Sequence, residues 1–289
     1  MMIEPSHKPS YWSFGYIPIG KIRDIFRRYY GYPNLVKRIQ APDIISSLNL
    51  KETDYCCDLG CGSGFITIEL AKLCRHATGI DINPELTEIS IPDSLKERLQ
   101  FLVQDGRNLP VRSNSLDVVL CSEVLMMIQE PSQFLREVRR VLKPNGRLVA
   151  VNGLGHTSIR DSFASNSYWM RFLRIWLGSR LNKSYEEYYS KLQQHFGTAI
   201  QPQTQMYYPR LLEREGFEVT EIFYSPSEVC ARYLSWLQLV QFSRTGLGVT
   251  KFSYLRFLVA TLLDKVGGRG NPAGQIICAK VIDSGSDLK

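Results

Sequence analysis

Between residues 41 and 150 the chain alternates short apolar runs with longer stretches whose apolar positions recur at helical spacing. The runs at 53–59, 77–82, 99–103, 116–121 and 147–152 predict five strands, the first three leading into Asp58, Asp81 and Asp105. Residues 65–74 predict a helix. So do 131–142, where Phe134, Leu135, Val138, Val141 and Leu142 share one face. Lys143-Pro144-Asn145-Gly146 then stops that helix, because proline and glycine disfavour its continuation. Further on, 208–215 predicts a helix, 217–224 a strand and 275–282 a last strand. Two apolar helical stretches, 228–242 and 252–266, lie between those strands. Strands alternating with helices imply right-handed βαβ units, and hence an α/β fold with a parallel sheet covered on both faces.

Composition narrows the class. The 289 residues are 44% hydrophobic and 22% charged, which is ordinary for a folded protein and argues against a disordered chain. No run reaches the ~18 apolar residues of a membrane span, and the first twelve lack the apolar core of a signal peptide. The seven cysteines form no Cys-x-x-Cys pair and only four histidines are present, so no metal site or disulfide framework is expected. A reducing, cytoplasmic setting fits. The net charge of +7 is carried outside the middle of the chain. Residues 1–40 hold seven basic and two acidic side chains, 41–150 hold twelve and fifteen, and 151–289 hold sixteen and eleven. That asymmetry points to an anionic partner or to solvated helix faces.

The sharpest local feature is Asp58-Leu59-Gly60-Cys61-Gly62-Ser63-Gly64, between the first strand and first helix. Glycines there let a ligand approach the backbone, and the helix start offers N–H groups. A dinucleotide loop reads G-x-G-x-x-G, but here Phe65 stands at the last position and the spacing is G-x-G-x-G. Asp81 sits where a carboxylate can accept from ribose hydroxyls. Asp105, followed by Gly106, sits where one can accept from an adenine amino group.

From Cys57 to Gly64, through Gly79-Ile80-Asp81-Ile82-Asn83-Pro84, Gln104-Asp105-Gly106, Ser115-Leu116-Asp117-Val118-Val119 and Ser122-Glu123-Val124-Leu125 to Val141-Leu142-Lys143-Pro144-Asn145-Gly146, the chain resembles the class I S-adenosylmethionine-dependent methyltransferases. The likeness is to their small-molecule branch, which includes ubiquinone and menaquinone C-methyltransferases. It implies a Rossmann-like doubly wound sheet, mostly parallel with an antiparallel last strand, plus helical lid insertions. The implied organisation is an aromatic, basic lid arm at 1–40, a cofactor-binding core at 41–153, a helical lid insertion at 154–208, and the C-terminal part of the sheet at 209–289 with a helical insertion at about 226–272. It implies S-adenosyl-L-methionine as cofactor, held by Asp58, Gly60, Cys61, Gly62, Gly64, Asp81, Ile82, Asp105, Gly106, Cys121 and Ser122. Ile82 would pack on adenine, and Cys121 and Ser122 would line the methyl donor. Met126 and Met127 stand where many relatives carry histidines, and no Asn/Asp-Pro-Pro-aromatic motif follows the fourth strand.

Methyl transfer needs an aligned nucleophile, exclusion of water and, for a hydroxyl acceptor, a modest base. Glu123 and His156 are the catalytic candidates by position, against roles as a turn cap and a loop residue. The aromatic arm and lid suit a bulky, partly apolar acceptor. The expected function is therefore methyl transfer to a small or lipid-like acceptor, at oxygen in preference to carbon. The alternatives are a nucleic-acid methyltransferase, favoured only by the basic charge, and a silent binding protein of the same fold. The insert at 226–272 interleaves aromatic and aliphatic residues with Arg232, Arg244, Lys251, Arg256, Lys265 and Arg269. Its layout also resembles methyltransferases of cell-surface glycan or lipid-linked intermediates, and it suits peripheral contact with anionic membrane.

Overall fold

The structure, a computed structural model, describes residues 35–83, 89–128, 130–153, 205–227, 230, 253–266 and 274–282. The chain divides into two compact units, one of residues 40–155, 201–225 and 269–289, the other of 1–39, 156–200 and 226–268.

The first unit holds a seven-stranded sheet. Its strands are β1 (Tyr55–Leu59), β2 (His76–Asp81), β3 (Leu99–Val103), β4 (Leu116–Ser122), β5 (Leu142–Gly153), β6 (Phe217–Tyr224) and β7 (Gly274–Val281). They lie in the order β3-β2-β1-β4-β5-β7-β6. The first five run parallel, and β7 pairs antiparallel with both β5 and β6. The switch point lies between β1 and β4, where an open α/β sheet leaves a crevice at the carboxyl ends of its strands. This is the mostly parallel sheet with an antiparallel last strand that the sequence implies.

The described helices are α1 (Leu35–Ser47), α2 (Phe65–Leu70), α3 (Pro131–Val141), α4 (Tyr207–Arg214) and α5 (Ser253–Val266). On α3 the apolar face read from sequence is buried. Phe134, Leu135, Val138 and Val141 pack with Leu211 and Leu212 of α4 against Leu148, Ala150, Ile277 and Ala279 of the sheet. The helix starts at Pro131, where a missing N–H costs nothing, and gives way to strand at Leu142. Between the pairs Leu116↔Leu142 and Val118↔Arg147 the β5 chain bulges through Asn145, whose φ is 60°. The Lys143 ammonium, 2.8 Å from both Asp117 oxygens, ties that bulge to β4.

α2 is shorter than the 65–74 expected. After Leu70 the amides of Lys72 and Leu73 turn back to the Glu69 and Leu70 carbonyls, and Arg98 holds the Cys74 carbonyl at 2.6 Å. The chain must reverse there because Arg75 and His76 already donate to the Asp54 carbonyl to start β2. β1 begins two residues later than expected, because the Asp54 amide turns back to the Lys51 carbonyl at 2.9 Å, a turn its carboxylate braces by accepting from the Lys51 amide and the Arg147 guanidinium.

In the second unit the described part is small. The Ser227 hydroxyl donates to the Leu263 carbonyl at 3.0 Å and accepts from the Cys230 amide, while the Ser227 amide donates to Asp264. Those bonds fasten α5 to the start of the insert. Residues 1–34, 154–204 and 231–252, which contain most of the expected arm, lid and first insert helix, lie outside the described residues, as does His156.

Candidate functional site

The glycine loop is built from three left-handed residues, Gly60 (φ 71°), Gly62 (φ 53°) and Gly64 (φ 71°). A side chain resists that conformation, so glycine is required by the backbone itself. The surroundings differ. A Cβ at Gly60 would lie 2.1 Å from Val124 Cγ2, and one at Gly64 would lie 2.6 Å from the Phe101 ring. At Gly62 a Cβ would meet nothing within 4 Å. The loop therefore packs tightly on its two flanks and presents its middle to open space.

Three contacts fix it. The Gly60 and Cys61 amides share the Ile80 carbonyl, at 2.7 and 3.2 Å. The Gly62 amide donates to Asp81 Oδ2 at 2.8 Å. Asp58, 3% exposed, accepts from the Thr67 hydroxyl at 2.6 Å, so β1 and α2 are clamped on either side of the loop. Thr67 escaped the sequence reading. Its signal is a hydroxyl on a helix whose neighbours Ile66 and Ile68 are apolar, nine residues beyond a buried carboxylate.

Asp81, the last residue of β2, also accepts from the Asn83 amide, at Oδ1 and 3.0 Å. Each Asp81 oxygen thus receives one backbone N–H among the described residues and keeps a second lone pair. Those two acceptor positions suit a vicinal diol. Ile82 beside it is 72% exposed, a large aliphatic surface placed for stacking a flat ring. Asp105 lies two residues beyond β3. Arg107 folds back on it, which draws its carboxyl below the usual range, chiefly by side-chain hydrogen bonding. Gly106 is required by packing, since a Cβ there would lie 2.5 Å from the Phe134 ring.

Cys61 leans on β2, its sulfur 2.9 Å from where a Gly79 Cβ would stand. Burial, with Asp58 and Asp81 nearby, pushes its thiol well up, which suits a packing role and not a nucleophile. Cys121 is fully buried in the core and its thiol is likewise pushed up by burial. Ser122, the last residue of β4, is half-buried. Glu123 follows in a left-handed conformation (φ 63°) uncommon for a residue with a side chain. Its amide bonds the Val151 carbonyl at 2.7 Å, and its Oε2 accepts from the Gly153 amide at 3.2 Å. The turn thus holds a carboxylate between the carboxyl ends of β4 and β5. The Tyr208 hydroxyl is pushed up by burial, with Glu123 the largest charge acting on it. No cluster of three or more metal-ligating side chains occurs among the described residues.

Residues 57–150 match the methyltransferase domain family. The ubiquinone biosynthesis O-methyltransferase of Xanthomonas oryzae pv. oryzae is 34% identical over 94 residues, 32% of this chain and 39% of its own length. The mitochondrial ubiquinone biosynthesis O-methyltransferase of Schizosaccharomyces pombe is 35% identical over 99 residues, 32% of this chain and 35% of its own. A sterol 4-C-methyltransferase of Caenorhabditis elegans is 28% identical over 110 residues, 37% of this chain and 33% of its own. The chain thus spans about two fifths or less of the length of these relatives. Among solved structures, the [4+2]-cyclase SpnF superposes with a TM-score of 0.54 at 17% identity, covering 84% of this chain and 80% of its own. A chain of the Haloferax volcanii complex of the Trm112 methyltransferase activator with a putative methyltransferase gives 0.55 at 16%, covering 91% and 94%. These two likenesses concern the fold alone. The cofactor of the matched domain is S-adenosylmethionine, and the left-handed loop opening onto free space, the two acceptor positions on Asp81 and the exposed Ile82 fit it.

Proposed function

We propose that this chain, whose residues 57–150 are a class I S-adenosylmethionine-dependent methyltransferase domain, transfers a methyl group to an oxygen of a small or lipid-like acceptor. The observation that carries this reading is the crevice edge itself. Glycine loop, Asp81, Ile82 and Asp105 lie at the carboxyl ends of β1, β2 and β3, and Glu123 lies beside them after β4. The cofactor supplies an electrophilic methyl on a sulfonium, so the chain needs no strong base. The glycine loop, which lets the cofactor approach the backbone closely at Gly62, and Asp58 behind it shape the place for the amino-acid end, Asp81 accepts from the ribose hydroxyls, and Ile82 packs on the adenine. Glu123, fixed by the Gly153 amide, is placed to accept a proton from an acceptor hydroxyl or to orient it. His156 is the second candidate for that task.

Oxygen is preferred because two of the relatives named above are O-methyltransferases. The sterol C-methyltransferase keeps carbon as the alternative, and both kinds of acceptor are apolar in part. On the described end of the insert, Leu262 and Val266 are 61% and 71% exposed one helical turn apart. Peripheral contact with an anionic membrane surface, at which a lipid-like acceptor would be met, belongs to this proposal through the basic and apolar residues of the insert's sequence. No helix among the described residues is long and apolar enough to cross a membrane.

Calorimetric titration tests the cofactor assignment. Wild-type protein should bind S-adenosylmethionine, and Asp81→Ala should bind it roughly tenfold to a hundredfold more weakly, for the loss of a charge-assisted bond worth about 1.5–3 kcal/mol. An unchanged dissociation constant in the folded variant overturns it. Mass spectrometry of an extract incubated with methyl-labelled cofactor then identifies the acceptor. Salt-sensitive labelling of RNA instead would favour the nucleic-acid alternative.

A further inference from the structure

Asp81 and Asp105 stand at equivalent places, yet their oxygens are in different states. Each Asp81 oxygen receives one backbone amide. On Asp105, Oδ1 receives the Arg107 amide at 2.9 Å and the Arg107 Nε at 3.0 Å. Oδ2 receives the same Nε at 3.1 Å and Nη2 at 2.6 Å. A carboxylate offers about four lone-pair positions. Three N–H groups fill most of them, the Nε–H shared between both oxygens, and two of the three belong to one guanidinium. An adenine amino group must compete with the guanidinium for this carboxylate.

We infer that Arg107 is a built-in competitor for the adenine end of the cofactor site, folding onto Asp105 when that site is empty and swinging away when adenine arrives. The inference rests on the cofactor reading above. The exchange is feasible because the pair is at the surface, with the Arg107 and Asp105 side chains 50% and 41% exposed. The Glu130 carboxylate also acts on the Arg107 charge. A side chain that must be displaced lowers the apparent affinity by the fraction of molecules in the closed form. It also makes binding depend on ionic strength in an unusual direction. Salt weakens an exposed ion pair, so it should favour the ligand and not oppose it.

S-adenosylhomocysteine is the suitable probe. It carries no net charge, so deleting a cation elsewhere does not change its affinity by simple attraction or repulsion. For Arg107→Met we expect about two- to fivefold tighter binding by calorimetry, the range set by an exposed bidentate pair. Wild-type affinity should rise between low and high salt, whereas that of Arg107→Met should stay flat. Arg107→Lys keeps the charge but loses the fork, and should fall between the two. Equal or weaker binding by Arg107→Met, or a salt dependence shared with the wild type, overturns the inference while leaving the cofactor reading intact. Failure of every form, wild type included, to bind S-adenosylhomocysteine overturns both.

Discussion

Gly60 and Gly62 pose the same backbone demand in two different surroundings, which separates strain from ligand contact. Both are left-handed, at φ 71° and 53°, and an alanine at either costs about 1–2 kcal/mol for the conformation alone. At Gly62 nothing lies within 4 Å of the new methyl, so Gly62→Ala should cost only that strain. In a domain of this size it corresponds to a melting-temperature fall of about 2–8 °C. At Gly60 the methyl would lie 2.1 Å from Val124 Cγ2, and moving Val124 or the loop adds about 1–3 kcal/mol of overpacking. Gly60→Ala should therefore melt several degrees lower than Gly62→Ala. Cofactor binding should not follow the same order. If the open space beside Gly62 is where the cofactor lies, the small methyl there weakens S-adenosylmethionine by about tenfold or more, although the protein stays folded. Thermal denaturation followed by circular dichroism, with calorimetry well below both midpoints, reads the two effects separately. Wild-type affinity in folded Gly62→Ala would refute the placement of the cofactor. Equal melting temperatures would refute the steric role of Val124.

Asp81→Asn should bind cofactor no better than Asp81→Ala, because one acceptor oxygen becomes an NH2 facing the Gly62 or Asn83 amide; calorimetry on the two variants checks this. Asn152→Leu should raise stability by about 1–3 kcal/mol in denaturant unfolding, since Asn152 is fully buried and neither of its amide atoms has a hydrogen-bond partner among the described residues; a lower midpoint would show that it is satisfied. Glu137 and Asp105 have carboxyls held below their ordinary values by hydrogen bonds from Arg140 and Arg107. Their stabilising contribution is therefore present above pH about 4.5 and is lost as pH falls through that value towards the depressed folded ones, so Arg140→Met should flatten the acid limb of melting temperature against pH. All seven thiols should react slowly with an aromatic disulfide at pH 7.5, because burial pushes up those of Cys56, Cys57, Cys61, Cys121, Cys230 and Cys278 and takes Cys74 to about 11; one fast equivalent would overturn this.

The central strands β1 and β4 were legible because they are buried along most of their length and read as near-continuous apolar runs. The edge strands β3 and β6 are only partly buried, yet they begin and end where the stretches at 99–103 and 217–224 do. α3 was legible because its one-sided face repeats over three turns. The end of α2 was not, since the chain turns back after Leu70 so that Arg75 and His76 can donate to the Asp54 carbonyl and start β2, a contact made with a distant segment. The burial of Cys121 was legible too, since it ends an apolar run whose neighbours Val118, Val119 and Leu120 are all buried.

Glu123 is a candidate by its position in the sequence, but what sets it apart in the structure is its backbone. A left-handed glutamate between two strand ends leaves no trace in an apolar pattern, because the pattern records burial and not φ. The same limit hides the difference between Asp81 and Asp105. Both are acids closing apolar runs, and sequence assigns them parallel tasks. What separates them is the residue two positions on, Asn83 in one case and Arg107 in the other. Each donates its own amide to the preceding carboxylate, but only arginine has a side chain that can fold back and fill the remaining lone pairs. Side-chain reach over two residues, unlike periodicity over eight or ten, needs coordinates. If that reach governs the adenine end of the site, exchanging the two residues should move the salt dependence with the arginine. Asn83→Arg in an Arg107→Asn background should then create at Asp81 the competition lost at Asp105, and S-adenosylhomocysteine affinity should again rise with salt. A flat salt response in the double variant, with binding retained, would show that the loop around Asp105 and not the arginine itself sets the effect.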